Sequence, residues 1–368
     1  MNRNNDQISS AQLAAILSIV MMGVGILSLP RTLVEEVGPD AWIIIIVGTG
    51  IVAVLGFLMA KLVTKYPKED IIEFGNTLLG KFFGTVLSAA FFIYLVLFTA
   101  IEVRLFGEIA KTFLLLKTPI EVLMATYLFS MVYLVRKGIE PFGRMAQILF
   151  PIVLFTTVLI MLPILPDLDF TYFLPVFRTP VMKMVKTLPL MIFSYLGLEL
   201  TLLFSAFVTD KKNIGKFVFF SIGLIGMVYF TTVLVTISRF GLVETTHIIW
   251  PALELFKTVD LPGAFIENIH IYAITIWVLS VLMTTGGLYY GASLTLSRII
   301  KSSEQDYLVL PLFPIIYYLA IMPEGLARTI ELTDMFANYL GTLFLVVVPV
   351  GLLGLSFFKK KKGGRKSA

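Results

Sequence analysis

The sequence predicts an all-α integral membrane protein with ten transmembrane helices. Of its 368 residues, 58% are hydrophobic and only 14% are charged, and the mean hydropathy is +0.92. Such a composition is far more apolar than that of a soluble domain, so the chain is expected to lie in a lipid bilayer. In addition, the first and sixth apolar segments are interrupted near their middles, which predicts two discontinuous helices.

Ten apolar segments are long enough to cross the hydrocarbon core of a bilayer, which needs roughly 17 to 25 helical residues. Their predicted limits are 11–35, 40–64, 82–112, 119–135, 143–163, 182–207, 215–238, 266–300, 307–323 and 335–358. They form one membrane domain over residues 1–358, followed by a basic tail over 359–368 that is expected to lie against anionic lipid. Lys and Arg are commoner on the side of both termini, so both termini are expected in the cytoplasm.

Two connections between spans are predicted to contain short surface helices. The connection over 241–263, which contains Trp250–Phe256, has apolar residues at helical spacing with acidic residues between them. The segment Ile71–Phe74, on the opposite side of the membrane, has a similar apolar run.

The composition also excludes several classes of function. The chain has no cysteine, which rules out disulfides and thiolate metal sites, and neither His247 nor His270 has a partner at metal-ligand spacing. No catalytic motif or phosphate-binding loop is present, so we expect neither an enzyme nor a cofactor. The positive net charge of +5 is concentrated in the tail, and no nucleic-acid partner is expected.

The first interruption is the triplet Gly23, Val24 and Gly25, within an apolar run that ends near Pro30. Glycine disfavours helix, and two explanations compete. Small residues can allow a neighbouring helix to pack closely. Alternatively, the helix is broken and its free backbone groups bind a ligand at mid-depth.

The second interruption lies in span 6 and favours the broken-helix explanation for both. It contains Ser194, Tyr195, Leu196 and Gly197, followed by Glu199. Five spans separate the two interruptions, and an odd separation means that spans 1–5 and 6–10 run in opposite directions. This predicts a 5+5 inverted repeat, with the first repeat at about 11–163 and the second at about 182–358.

Two breaks of opposite direction predict a zwitterionic ligand such as an amino acid. The N-terminus of a half-helix presents free N–H groups and partial positive charge, which suit a carboxylate. The C-terminus of a half-helix presents carbonyl groups, which suit an ammonium group or a metal cation. The dipoles indicate the ligand class but not its side chain.

Three further residues are candidates for the same pocket. Phe98, near the middle of span 3, is expected to form its apolar wall, with ordinary helix packing as the alternative. Thr285 and Tyr289 are four residues apart in span 8 and therefore share a face. Threonine hydroxyls in membrane helices often bond their own backbone, so this assignment has a structural alternative.

Charged residues within the spans are few, and each needs a partner or water. Glu199 is a candidate proton or cation site, or the carboxylate that anchors the second break, or a neutral side chain bonded to a helix carbonyl. In span 3, Arg104 and Glu108 are spaced to pair. Glu102 is expected to face elsewhere. The three together are expected to extend to the outer interface, with a partnered or water-lining position inside the membrane as the alternative.

Four stretches together resemble the spore germination permease family, the B subunits of nutrient germinant receptors. They are GVGILSLP in span 1, IEVRLFGEIAKTFLLLKTPIEV at the end of span 3, SYLGLEL in span 6 and WPALELFKTVDLPGAFIENI before span 8. The resemblance extends over essentially the whole chain. It implies the LeuT-like fold of amino acid/polyamine/organocation transporters, and pocket positions at Gly23, Phe98, Leu196, Thr285 and Tyr289.

The resemblance further implies a subunit that binds a small germinant, such as an amino acid, and resides in the spore inner membrane. It would work beside an A subunit and a C lipoprotein subunit and signal germination. The alternatives are a proton- or sodium-coupled amino acid transporter with the same fold, a membrane enzyme, for which the sequence offers no reactive set, and a scaffold whose breaks only contact other subunits.

Overall fold

The computed structural model of the protein describes residues 6–258, 269–302 and 304–359. Helices stand at all ten predicted spans. They are α1 (Ser10–Met22) with α2 (Gly25–Val37) for span 1, α3 (Ala41–Lys65), α5 (Lys81–Phe113), α6 (Ile120–Val135), α7 (Ile139–Met161), α8 (Val181–Phe193) with α9 (Thr201–Phe204) for span 6, α10 (Ile214–His247), α12 (Ile269–Ile300), α13 (Asp306–Ile321), and α14 (Leu326–Phe336) with α15 (Val348–Phe358) for span 10. The basic tail beyond Lys359 lies outside the described residues.

Length and hydropathy identify this chain as a multi-pass membrane protein. Within the described residues, six helical segments are long and apolar enough to cross a membrane, and a seventh is the bent pair Val181–Phe193 and Leu198–Phe207. The remaining apolar helices are shorter, namely α1, α6 and α13. The limits of the two repeats and the orientation of the termini stay predictions.

Both short helices predicted in the connections are present, while their position on the membrane surface stays a prediction. The connection after span 2 contains α4 (Ile71–Leu79), and the one after span 7 contains α11 (Pro251–Lys257). Asp70 caps the first of them by accepting from the N–H groups of Ile72 and Glu73 at 3.0 and 3.1 Å. Such a cap satisfies backbone donors that a helix leaves free at its start.

Helices extend beyond the apolar limits in spans 7 and 10. α10 continues to His247 after a kink at Gly241, where φ is +75°. Span 10 is one helical segment, Leu326–Phe358, with π-helical turns at its centre, and it begins nine residues before the predicted limit. Its first turns carry Arg328 and Glu331, which form an ion pair of 2.7 Å. Hydropathy marks where a helix meets lipid, whereas backbone hydrogen bonding continues into the polar segment.

The segment before α1 joins the start of span 1 to the end of span 6, and these are the two discontinuous spans. Ile8 donates to Phe207 O and accepts from the Thr209 N–H, both at 3.0 Å. The Ser10 N–H, at the start of α1, donates to Asp210 Oδ1 at 2.6 Å. These bonds fix α1 against the end of span 6, so both broken spans are anchored on this side of the protein.

Asp70, the buried carboxylate that caps α4, predicts a pH dependence of the stability of the protein. Burial and the neighbouring Glu73 raise its pKa from 3.8 to about 6, although Arg298 lies 3.1 Å away. The folded state therefore holds this proton more tightly than the unfolded state. The protonated Asp70 carboxyl therefore contributes its full share of the folding stability below pH 3.8. This contribution is lost as the pH rises through about 6.

We expect Asp70→Asn to remove the loss of stability between pH 4 and pH 7, because asparagine keeps the helix cap but cannot ionise. Thermal unfolding of the purified protein in detergent, measured between pH 4 and pH 7, tests this prediction. Glu304→Gln, at an exposed position, is the control and should retain the wild-type slope. An unchanged slope in Asp70→Asn would assign the pH dependence to another group.

Candidate ligand-binding site

The break in span 1 lies at the predicted glycines. α1 ends at Met22 and α2 begins at Gly25, while Gly23 between them has φ 1° and ψ −151°, outside the helical region. The Gly23 N–H bonds Val20 O at 3.3 Å, and α2 begins without a side-chain cap at Val24. The open backbone groups therefore depend on other spans for partners.

Carbonyl groups at the end of α1 accept hydroxyl protons from two other spans. Thr284 in α12 donates to Ile19 O at 2.9 Å. The Tyr229 hydroxyl of α10 lies 2.5 Å from Met21 O and 2.7 Å from Ser194 O. One phenol thus bridges the two breaks, which brings spans 1 and 6 together at their interruptions.

On the other side of the first break, the carboxylate of Glu102 in α5 faces the start of α2, with Oε1 3.5 Å from the position of a Cβ atom on Gly23. Glu102 is only 5% exposed. The prediction that Glu102, Arg104 and Glu108 extend to the outer interface is therefore wrong for Glu102, because α5 turns this side chain toward span 1. Arg104 and Glu108 pair as predicted, at 2.7 Å, and are themselves largely shielded.

The break in span 6 is also where the sequence predicts it. α8 ends at Phe193, and the chain bends by 51° before the helical segment that begins at Leu198. Gly197 has φ +104°, in the left-handed region that favours glycine. A Cβ atom on Gly197 would overlap the side chain of Val20 in α1, so the two broken spans are in direct contact here.

Glu199 closes the second break from within its own span. Its carboxylate accepts from the Gly197 N–H, at 3.0 Å to Oε1 and 2.8 Å to Oε2, and from the Tyr94 hydroxyl of α5 at 2.6 Å. The side chain is completely buried. Among the roles considered for Glu199, this geometry supports the carboxylate that anchors the break, while the proton or cation role stays a prediction.

Phe98 belongs to an aromatic cluster beside Glu199. Its ring centroid is 5.9 Å from that of Tyr94 and 5.3 Å from that of Phe336 at the start of span 10. Leu196 also faces span 10, where a Cβ atom on Gly341 would lie 3.1 Å from it. Both predicted pocket residues thus line the side of the second break that faces span 10.

The other predicted hydroxyls have partners away from the backbone of span 1. Tyr195 shares a 2.8 Å hydrogen bond with Thr49. Thr285 shares one of 2.7 Å with Tyr127 of α6, so its neighbour Thr284 is the residue that reaches α1. Tyr289 donates to Val309 O of α13 at 2.6 Å. Thr285 and Tyr289 therefore bond different neighbouring helices, α6 and α13, although both lie on α12.

Free space adjoins the first break. A Cβ atom on Gly25 would meet no heavy atom within 4 Å. A cavity of about 40 Å³ lies next to the start of α2, lined in part by Met22, Ile26, Thr232 and Trp277. A cavity of this size holds a few water molecules.

The comparisons with known proteins agree with this architecture. A spore permease family model, described as a spore germination protein, matches residues 7–328. The chain belongs to the spore germination permease family. The spore germination protein YndE of Bacillus subtilis (strain 168) is 29% identical over 359 residues, covering 96% of this chain and 98% of the relative. GerLB of Bacillus cereus is 25% identical over 370 residues, covering 99% and 98%.

Two solved transporters show the fold of this spore germination permease. MhsT in complex with L-phenylalanine aligns with TM-score 0.65 at 13% identity, covering 95% of this chain and 97% of that one. A sodium-coupled sialic acid symporter aligns with TM-score 0.66 at 12% identity, covering 95% and 78%. The LeuT-like fold, with helices 1 and 6 discontinuous, is confirmed, and the relatives are not enzymes.

In this spore germination permease, sequence reasoning did not find Tyr229 and misplaced Glu102. Tyr229 is one aromatic residue in an apolar span, and no local signal distinguishes it. Glu102 did carry a signal, since it is a carboxylate within a span and has no basic residue at pairing distance on its own helix.

Proposed function

We propose that this chain is the B-type subunit of a nutrient germinant receptor and binds a small nutrient, an amino acid, between its two broken helices. The observation that carries the proposal is the Tyr229 hydroxyl, which lies within 2.7 Å of carbonyl groups of both breaks. Open backbone groups at mid-membrane are tolerated where they surround a binding site. Membership of the family and the L-phenylalanine in MhsT support an amino acid as the ligand.

The proposed setting is the spore inner membrane, with both termini in the cytoplasm. The chain would assemble with A and C subunits, a proposal supported by relatives whose names include GerLB and spore germination protein B2. Ligand binding would shift the equilibrium between two conformations of the chain and so signal germination to the complex. Backbone groups at Gly23, Val24, Gly25 and Ser194, with Leu196, Gly197 and Phe98, would form the pocket.

Direct binding is the test of this proposal. The purified chain is screened for thermal stabilisation by the common amino acids and by sugars. Saturation of about 100-fold over Kd should add roughly 2.7 kcal/mol to the free energy of unfolding. Absence of stabilisation by every compound would contradict a ligand site in this subunit.

Gly25→Val is expected to weaken binding of the stabilising amino acid at least tenfold while leaving the unliganded protein stable. The new side chain would occupy free space next to the break, where no heavy atom lies within 4 Å of a Cβ position. Gly50→Val, in α3 and equally open, is the control for adding a branched residue to a membrane helix. Equal affinity in Gly25→Val and the control would remove Gly25 from the site.

A second candidate is a secondary amino acid transporter, favoured by the similarity to two transporters over 95% of this chain. Uptake of a labelled amino acid into proteoliposomes that contain only this chain would support it. Binding without uptake would favour the receptor subunit.

A further inference from the structure

Both helices that resume after a break begin against a buried carboxylate. Glu102 Oε1 lies 3.5 Å from the position of a Cβ atom on Gly23, just before α2, and Glu199 accepts from the Gly197 N–H before α9. The N-terminus of a helix attracts negative charge. The protein itself therefore supplies an anion at each of the two positions where dipole reasoning alone would place the carboxylate of a ligand.

The two carboxylates differ in how completely they are satisfied. Glu199 has partners for both oxygens, since Gly197 and Tyr94 donate to it. Glu102 Oε2 is buried and has no hydrogen-bond partner within the described part of the chain, where Glu102 forms no ion pair. A buried carboxylate oxygen without a hydrogen-bond partner costs several kcal/mol, so this position favours an incoming proton donor or cation.

Hydrogen-bond acceptors outnumber donors around the first break. The Tyr229 hydroxyl has one proton for the two carbonyls of Met21 and Ser194, so one of these carbonyls lacks a full bond. Glu102 Oε1 lies 3.5 Å from the position of a Cβ atom on Gly23, the residue that follows the end of α1. Arg104, two residues along the helix, is already bonded to Glu108. The break thus combines an unsatisfied carboxylate with an undersupplied carbonyl.

We propose that Glu102 binds the ammonium group of the ligand and determines its class, so that the ligand must carry a primary amine whereas a carboxylate is dispensable. This inference rests on the proposed function, because it assigns a chemical group of that ligand to a residue of the same site. An ammonium group has three donors, which match Glu102 Oε2 and carbonyl oxygens at the end of α1. A deaminated acid would bring a second anion against Glu102.

Three sets of probes test the requirement for an amine on the wild-type protein. Each set contains an amino acid, its decarboxylated amine and its deaminated acid. The sets are L-alanine with ethylamine and propanoate, L-valine with 2-methylpropylamine and 3-methylbutanoate, and L-phenylalanine with phenethylamine and 3-phenylpropanoate. Affinities come from thermal-shift titrations of the purified full chain. In at least one set the amine should bind within tenfold of the amino acid, and the acid should not bind.

Two substitutions test whether Glu102 is the residue that binds the ammonium group. Glu102→Gln keeps the volume and removes the charge, and it should weaken the amine and the amino acid at least tenfold. Glu102→Asp keeps the charge on a shorter side chain and should bind better than Glu102→Gln. Glu36→Gln, at an exposed position of α2, is the control and should leave the affinity unchanged.

The outcomes separate this inference from the proposed function. If the amino acid binds equally to wild type and Glu102→Gln, or if the deaminated acid binds as tightly as the amine, the assignment to Glu102 is overturned while the ligand site stands. If no probe stabilises the wild type, both fail. If Glu102→Gln does not fold, the comparison of amine with acid on the wild type and Glu102→Asp still decides.

Discussion

Gly197→Ala is expected to destabilise the purified protein by about 2 to 5 kcal/mol. A residue other than glycine pays roughly 1 to 2 kcal/mol at a left-handed φ such as the +104° of Gly197. The new methyl group would also overlap Val20 Cγ1 in α1 and approach Val20 Cβ to 3.4 Å. Overpacking of this kind costs about 1 to 3 kcal/mol. Both penalties fall on the contact between the two broken spans.

The measurement is the midpoint of thermal unfolding in detergent, compared with Gly223→Ala. Gly223 lies within α10, has no positive φ, and a Cβ atom there would meet nothing within 4 Å. Alanine favours helix over glycine by about 1 kcal/mol, so the midpoint of this control should stay equal or rise. A wild-type midpoint in Gly197→Ala would mean that the second break does not depend on a left-handed residue.

The positions of both breaks could be predicted because glycine and polar side chains are conspicuous in apolar spans. Gly23, Gly25 and Gly197 interrupt sequences that would otherwise form continuous helices, and the structure ends α1 and α8 where these interruptions begin. This local signal was sufficient to predict the discontinuous helices.

The partners of the breaks could not be predicted in the same way, because they depend on the rotation of each helix about its axis. Thr284 and Thr285 differ by one position, or about 100° of rotation, and only Thr284 faces α1. Glu102 was assigned to the interface from its distance along span 3. That distance does not tell which neighbour a side chain faces, and α5 turns Glu102 toward Gly23 in span 1.

The second large effect is expected for Glu199→Leu, which should reduce stability by about 2 to 6 kcal/mol. The carboxylate accepts from the Gly197 N–H and the Tyr94 hydroxyl, and both are completely buried. Leucine would leave two donors without a partner, and each costs about 1 to 3 kcal/mol. Glu199→Gln keeps one carbonyl oxygen as an acceptor and should therefore destabilise less. Equal midpoints for leucine and glutamine would contradict the anchoring role.

A double-mutant cycle between Tyr94→Phe and Glu199→Leu isolates the bond that joins α5 to the second break, because leucine offers the Tyr94 hydroxyl no acceptor. Direct contact at 2.6 Å predicts a coupling energy of about 0.5 to 3 kcal/mol. Tyr289→Phe with Glu199→Leu is the matched control, because the Tyr289 hydroxyl bonds Val309 O in α13 and the effects of these two changes should add. Since Phe98 packs on Tyr94, a strong coupling in the first cycle would mean that the wall of the proposed pocket is fixed to the break itself. An additive result would instead separate the aromatic cluster from the break, and a ligand could then move one without the other.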